Sequence, residues 1–217
     1  MSINEQVLQV QAKLTGQKII AATKTVGCDE IRILTNAGVW DIGENRVADL
    51  IRKQDQLKDL PIRWHFIGSL QSNKVKLVIN RIDALHSLDR RSLAEEIQKY
   101  REGMPLDCFV EVHIANESTK SGILPTDAFD FIRNLQEYDK IRVIGLMGMA
   151  TQTNDEDQIG REFMRLRHLR DQISAQHWTY APCEYLSMGM SNDYRIAIRC
   201  GATHLRLGTL LFRNGGL

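Results

Sequence analysis

The stretch Arg142-Val143-Ile144-Gly145-Leu146-Met147 decides the fold when it is read together with the next forty residues: Ile159, Phe163, Leu166 and Ile173 at helical spacing, then Glu184-Tyr185-Leu186-Ser187-Met188. A short apolar run, an amphipathic helical segment and a second short run make a βαβ unit, which calls for a parallel sheet. The same alternation continues in both directions. Towards the amino terminus, strands are expected at 106–114, 82–87, 62–67, 39–43 and 18–24. Helices between them open at Asp29, near Val47, near Gln71, at Asp89 and near Ala128, and Gly38 supplies a left-handed stop for the first of these. Towards the carboxyl terminus, a short helix over 191–199 leads to a last strand at 204–207. Ahead of the first strand, Ser2 and Glu5 form a capping box for an extra helix with Ile3, Val7, Val10 and Leu14 on one face.

Eight strands alternating with helices close a (β/α)8 TIM-type barrel, here with an extra N-terminal helix, so the fold class is α/β; an open doubly wound sheet is the alternative. No Pro/Ser/Gly linker, charge block or repeat divides residues 1–217, and a single domain is expected.

Composition narrows the function. The chain of 217 residues is 43% apolar and 25% charged, an ordinary globular balance. Lys+Arg 28 against Asp+Glu 27 gives a net charge of +1, which offers nothing to nucleic acid or to an anionic membrane. The longest apolar run, 143–150, is far too short to span a bilayer. The amino terminus lacks a basic region followed by an apolar stretch, so no secretory signal is expected and the cytoplasm is the expected location. Cys28, Cys108, Cys183 and Cys200 lie far apart with no C-x-x-C pair, which reads as reduced thiols. With no H-E-x-x-H, Walker or G-x-G-x-x-G pattern, no metal or nucleotide site is expected.

A barrel builds its site at the carboxyl ends of its strands. That criterion selects Lys24, Glu44 and Asn45, Gly68 and Ser69, His86 and Ser87, His113 and Asn116, Met147 to Met149, Gly189 to Asn192, and Gly208 with Thr209. Lys24 ends an apolar strand; partial desolvation there would lower its pKa and free the amine for Schiff-base chemistry. The plainer alternatives are a lysine reaching to water or pairing with Glu44. Ser191, in Gly189-Met190-Ser191-Asn192-Asp193, can cap a helix whose free N–H groups suit a phosphate, and Gly208-Thr209 adds close backbone and a hydroxyl. Lysine and phosphate site at one barrel face suggest a phosphorylated aldehyde held as an imine. Arg161, Arg165, Arg167 and Arg170 interleave with Glu162 and Asp171, and read as a solvated helix face.

At these residues the sequence resembles the pyridoxal phosphate homeostasis proteins. The landmarks are Ala22-Thr23-Lys24-Thr25, Gly43-Glu44-Asn45-Arg46-Val47, Trp64-His65-Phe66-Ile67-Gly68, His86-Ser87-Leu88-Asp89, Glu117-Ser118-Thr119-Lys120-Ser121-Gly122, Leu186-Ser187-Met188-Gly189-Met190-Ser191-Asn192-Asp193 and Arg206-Leu207-Gly208-Thr209. The resemblance implies a barrel related to the amino-terminal domain of alanine racemase that binds pyridoxal 5′-phosphate. Carried over residue by residue, Lys24 forms the internal aldimine, and Ser191, Asn192, Gly208 and Thr209 hold the phosphate. Arg206 faces the pyridine nitrogen, Asn45 and Met190 line the ring pocket, and His65 and Ser87 sit nearby. His113 stands where the family's usual residue is Asn, and Ala202 where Ser is common.

The resemblance and the chemistry together imply a carrier. A cofactor ring is an electron sink when its nitrogen carries a proton, and an arginine partner, always a donor, keeps it unprotonated. Racemisation needs a second base on the opposite substrate face, which racemases take from an additional carboxyl-terminal domain; the chain ends a few residues after strand eight. The expectation is therefore a monomeric, non-catalytic protein with no catalytic residues, serving pyridoxal phosphate homeostasis by buffering the cofactor or delivering it to apo enzymes. The competing reading is a pyridoxal-phosphate-dependent racemase or lyase. A third is a Schiff-base aldolase, for which only Glu44 and His65 offer an acid/base pair beside Lys24. Lys120 and Lys74 are candidate secondary attachment points.

Overall fold

A computed structural model describes residues 2–116 and 121–212. Its elements follow the alternation read from the sequence: α1 (Ile3–Gln11), β1 (Lys18–Ala22), α2 (Cys28–Asn36), β2 (Asp41–Glu44), α3 (Val47–Gln56), β3 (Arg63–Phe66), α4 (Val75–Val78), β4 (Ala84–Leu88), α5 (Arg91–Tyr100), β5 (Leu106–Glu111), α6 (Pro125–Asn134), β6 (Ile141–Met147), α7 (Glu156–Ser174), β7 (Tyr185–Ser187), α8 (Tyr194–Arg199), β8 (His204–Leu207) and α9 (Thr209–Phe212). The eight strands form a closed barrel in sequence order. Closure comes from β1 pairing with both β2 and β8, parallel to each, with Ala21 beside Ile42 on one side and Leu207 on the other. The open-sheet alternative is thereby excluded.

Strand alternation divides the side chains into two layers. Ile19, Ala21, Ile42, Phe66, Leu85, Val110 and Leu205 face outward and pack with Val7, Ile31, Leu50, Ile97 and Phe163 from the helices. Inside the barrel, Phe109, Ile144 and Met147 make a small separate cluster with Met149. Most of the other interior groups are polar: His65, His86, Ser187 and Arg206 are all buried, with Ile20 beside Arg206. TIM-barrel interiors are ordinarily filled by branched aliphatic residues, so a polar filling marks this barrel as built for more than stability.

The structure departs from the sequence reading at element ends. α1 has its capping box, with Glu5 N–H donating to Ser2 Oγ and Ser2 N–H to Glu5 Oε2. α2 starts one residue before Asp29, because Glu30 accepts the N–H of Gly27 and closes the helix entrance there. Asp89 pairs with Arg90, and α5 begins at Arg91. The helix expected near Gln71 is a 3₁₀ turn, Ser72–Lys74, followed by the four residues of α4. The fifth strand stops at Glu111, opposite Met147 where β6 also ends, leaving Val112 in an isolated bridge to Ile123. Glu162 is buried rather than solvated, accepting the Thr151 N–H and hydroxyl. Cys108, Cys183 and Cys200 are buried, and all four cysteines are free thiols.

Candidate functional site

The carboxyl ends of β1 and β8 are neighbours in the barrel, which brings Lys24 alongside Gly208 and Thr209. A Cβ at Gly208 would stand 3.2 Å from the Ala22 carbonyl oxygen, so the β8 turn lies directly against the strand that leads to Lys24. Lys24 is exposed at this mouth, and the partial desolvation expected of it is not seen. It does not pair with Glu44 either. Glu44 faces outward into the helix layer, where its carboxylate accepts from Lys53 Nζ and Thr23 Oγ1, each at 2.5 Å. Lys53 Nζ also donates to the Thr23 carbonyl at 2.7 Å. This buried pair pins the residue that precedes Lys24.

Ser191 has a different local role from the one expected. It does not cap α8; that helix begins after Asp193, whose Oδ1 accepts the Met190 N–H at 2.5 Å. The Ser191 hydroxyl instead accepts from Gly208 N–H at 3.4 Å and Leu210 N–H at 3.1 Å, tying the loop after β7 to the turn after β8. Gly189 makes that loop possible. Its φ of +92° is one that L side chains rarely adopt, and an added Cβ would stand 2.5 Å from Ala197 Cβ. Asn192 and Thr209 are exposed at the same mouth and Met190 is half-buried. Backbone and hydroxyl donors of this kind suit a phosphate.

Below the mouth lies Arg206, 5% exposed. Its Nη1 donates to Ser187 O at 2.6 Å and Ser187 Oγ at 2.7 Å, and its Nη2 to Gly148 O at 3.1 Å. Burial pulls its pKa down to about 10 against the opposing charges of Glu111 and Asp193. It remains a cation, and a donor, at neutral pH. Asn45, at the end of β2, has a buried Oδ1 that no described residue supplies with a hydrogen bond. Gly68 packs on it so tightly that a Cβ there would lie 2.4 Å from Asn45 O. An unsatisfied acceptor at the mouth of a barrel is the sign of a missing donor, which fits a ring ligand with a hydroxyl. Ser87 is buried with its hydroxyl donating to Gly68 O at 2.6 Å, so it braces that turn.

His65 lies deeper than the transfer implied. Its Nε2 meets Asp41 Oδ1 at 2.9 Å and its Nδ1 meets His86 Nε2 at 3.0 Å, so both nitrogens are held by protein. With Glu44 turned outward and His65 committed, the pair that an aldolase would need beside Lys24 is not assembled. Lys74 is exposed in the 3₁₀ turn, and Lys120 lies outside the described residues. The sequence reading missed Asp41, Ser187 and Glu111 as interior groups. Each adjoins an outward apolar residue of its own strand, Ile42, Leu186 or Val110, and that alternation was the available signal.

The closed parallel barrel that carries these groups at one end is matched over residues 2–214 by the family described as alanine racemase, N-terminal domain. A pyridoxal phosphate homeostasis protein of Aquifex aeolicus is 40% identical over 197 residues, covering 90% of this chain and 86% of that protein. The chain belongs to the pyridoxal phosphate homeostasis protein family. Solved structures of PipY from Synechococcus elongatus without and with pyridoxal phosphate bound are 30% identical and superpose with TM-scores of 0.91 and 0.89, each covering 98% of this chain and all of that one. An alanine racemase of Clostridium difficile shares the fold, with TM-score 0.81 at 14% identity over 57% of its own chain.

Proposed function

We propose that this chain binds pyridoxal 5′-phosphate as an internal aldimine on Lys24 and serves its homeostasis, buffering the cofactor or handing it to apo enzymes without robust catalysis of its own. The observation that supports this best is the placement of Lys24 and the Ser191–Gly208–Thr209 cluster at adjacent strand ends, with Arg206 buried beneath them. Ser191, Asn192, Gly208 and Thr209 take the phosphate, Asn45 and Met190 line the ring, and Ser87 holds the turn beneath them. PipY, similar over nearly all of this chain, has a structure with pyridoxal phosphate bound. When bound, the cofactor supplies an aldehyde that an amine captures and a ring that withdraws electrons when its nitrogen is protonated. Arg206, a donor that stays charged at neutral pH, would oppose protonation of that nitrogen, which suits storage over turnover. The protein acts as a monomer in the cytoplasm, and size exclusion should place it at its 24.8 kDa chain mass.

The test is an absorbance spectrum of the protein with pyridoxal phosphate, before and after borohydride, beside Lys24→Ala. A visible band fixed by reduction onto Lys24 and lost in the variant supports the reading; a band indifferent to Lys24→Ala overturns it.

One observation favours the second reading, a racemase or lyase. Glu111 faces into the barrel two residues beyond Phe109, and burial pushes its carboxyl up despite a hydrogen bond from Ser121 and the charges of Arg206 and His113. A carboxyl so placed can take and return a proton. Exchange of the α-hydrogen of added amino acids in deuterated water, lost in Glu111→Gln, would establish that reading; no exchange leaves the carrier.

A further inference from the structure

We propose that Asp41, His65, His86 and Ser187 are positioning residues for Arg206, linked in a one-way hydrogen-bond chain that runs through the barrel interior and fixes the guanidinium presented at its mouth. The proposal depends on the cofactor reading only for what Arg206 then touches.

Each link is within hydrogen-bond distance. Asp41 Oδ1 to His65 Nε2 is 2.9 Å, His65 Nδ1 to His86 Nε2 is 3.0 Å, His86 Nδ1 to Ser187 Oγ is 2.9 Å, and Ser187 Oγ to Arg206 Nη1 is 2.7 Å. Five strands supply the five groups: β2, β3, β4, β7 and β8. Asp41 stands at the amino-terminal end of the barrel, with its side chain 20% exposed, whereas His86 and Ser187 have no exposure at all. Phe109 stacks on the His86 ring at 4.3 Å between centroids and shuts water away from it.

The direction follows from the ends. Burial works to raise the Asp41 carboxyl, but the hydrogen bond from His65 and the charges of Arg63 and Lys18 hold it below the usual range, so it is ionised and only accepts. His65 therefore carries its proton on Nε2. In the proposed direction, His65 Nδ1 accepts from His86 Nε2–H, the neutral His86 ring accepts the Ser187 hydroxyl at Nδ1, and Ser187 Oγ accepts from Arg206. Burial, with the neighbouring positive charge of Arg206, holds His86 far below its ordinary pKa, so the neutral ring is its resting form. Every donor points from Arg206 towards Asp41. Aligned bonds of this kind polarise one another.

This arrangement also explains how a buried cation is held. Among the described residues Arg206 makes no ion pair; it donates to Ser187 and Gly148 only. Glu111 and Asp193 lend charge from nearby, but orientation comes from Ser187, and Ser187 is oriented by His86. Aliphatic side chains would fill the same space at less desolvation cost. What they could not do is fix which way the guanidinium points.

The test has two arms. In the first, ligand-free protein is studied by ¹⁵N NMR of the histidine rings. His65 and His86 should both appear as neutral Nε2–H tautomers with slowly exchanging ring protons, and Asp41→Asn should abolish the fixed tautomer at His65. An Nδ1–H tautomer, or a doubly protonated ring, at neutral pH in either residue overturns the chain. In the second arm, pyridoxal phosphate affinity and the visible band are compared among wild type, Asp41→Asn, Ser187→Ala and Asp107→Asn. Asp107 also stands at the amino-terminal end but pairs with Arg142 outside the chain. Asp41→Asn and Ser187→Ala should each weaken binding by about tenfold and move the band, with Asp107→Asn unchanged. Asp41 lies at the opposite end of the barrel from the mouth, so an effect there travels through the barrel; identical spectra and affinities in Asp41→Asn and wild type overturn the proposal. Should wild type bind no cofactor, the cofactor reading fails and the first arm alone decides the chain.

Discussion

Gly68 and Asn45 show how far the site depends on single atoms. A Cβ at Gly68 would stand 2.4 Å from the Asn45 carbonyl oxygen and 2.8 Å from its Cα, both backbone atoms that cannot move aside cheaply. Gly68→Ala should therefore displace the end of β2, costing about 1–3 kcal/mol in denaturant unfolding by overpacking, and should weaken pyridoxal phosphate binding as Asn45 moves. At the other side of the mouth, Arg206→Lys keeps a positive charge but loses the planar fork that reaches Ser187 and Gly148 together. Binding should fall by about tenfold with far-ultraviolet circular dichroism unchanged. An affinity equal to wild type would remove Arg206 from the site.

At the scale of elements, the join between β1, β2 and α3 rests on the buried Glu44–Lys53 pair, whose side chains are 0% and 3% exposed. Removing one partner strands the other's charge. Lys53→Met should thus destabilise the protein by about 3–5 kcal/mol, and adding Glu44→Leu to it should restore much of the loss. Thermal unfolding of the two variants separates this from a packing effect, since a purely steric role for Lys53 would leave the double variant no better than the single. The same pair explains why Glu44, in line with Lys24 by position in the sequence, takes no part in the mouth.

For the whole molecule, the interior histidines set an acid limit on stability. Burial, then the charges of His65, Lys18 and Arg63, bring His204 down from 6.5 to about 3, with Asp41 opposing. The folded protein thus holds a neutral ring where the unfolded chain would take up a proton. That contribution is full above pH 6.5 and is lost as pH falls through that value towards 3. At pH 5 it amounts to about 2 kcal/mol relative to pH 8, by proton linkage. His86 adds a loss of the same sign. Denaturant midpoints across this range should fall accordingly, and His204→Phe should flatten the profile; an unchanged slope would place a hydrated, exposed ring there. Phe163, fully buried between α7 and the barrel, should cost about 3–5 kcal/mol on truncation to Ala.

Residue order alone dictates the alternation of short apolar runs and amphipathic helices, and with it the eight-stranded barrel and the set of strand ends where Lys24, Asn45, Ser191, Gly208 and Thr209 stand. Those features are local: a run of β-branched residues, a spacing of apolar positions and a glycine at a turn each act over a few residues. Helix starts were less legible, because at α2 and α8 a carboxylate, Glu30 or Asp193, accepts the backbone N–H three residues upstream, that of Gly27 or Met190, and shifts the helix entrance away from the expected cap. Packing in three dimensions was needed to turn Glu44 outward to Lys53 and His65 inward to Asp41 and His86. It also joined His86 to Ser187, 101 residues away in the chain. Periodicity sets which face of a strand a residue occupies. Which polar groups then meet across the interior is set by the stagger of five strands around a closed barrel, and that geometry exists only once the first strand has paired with the last.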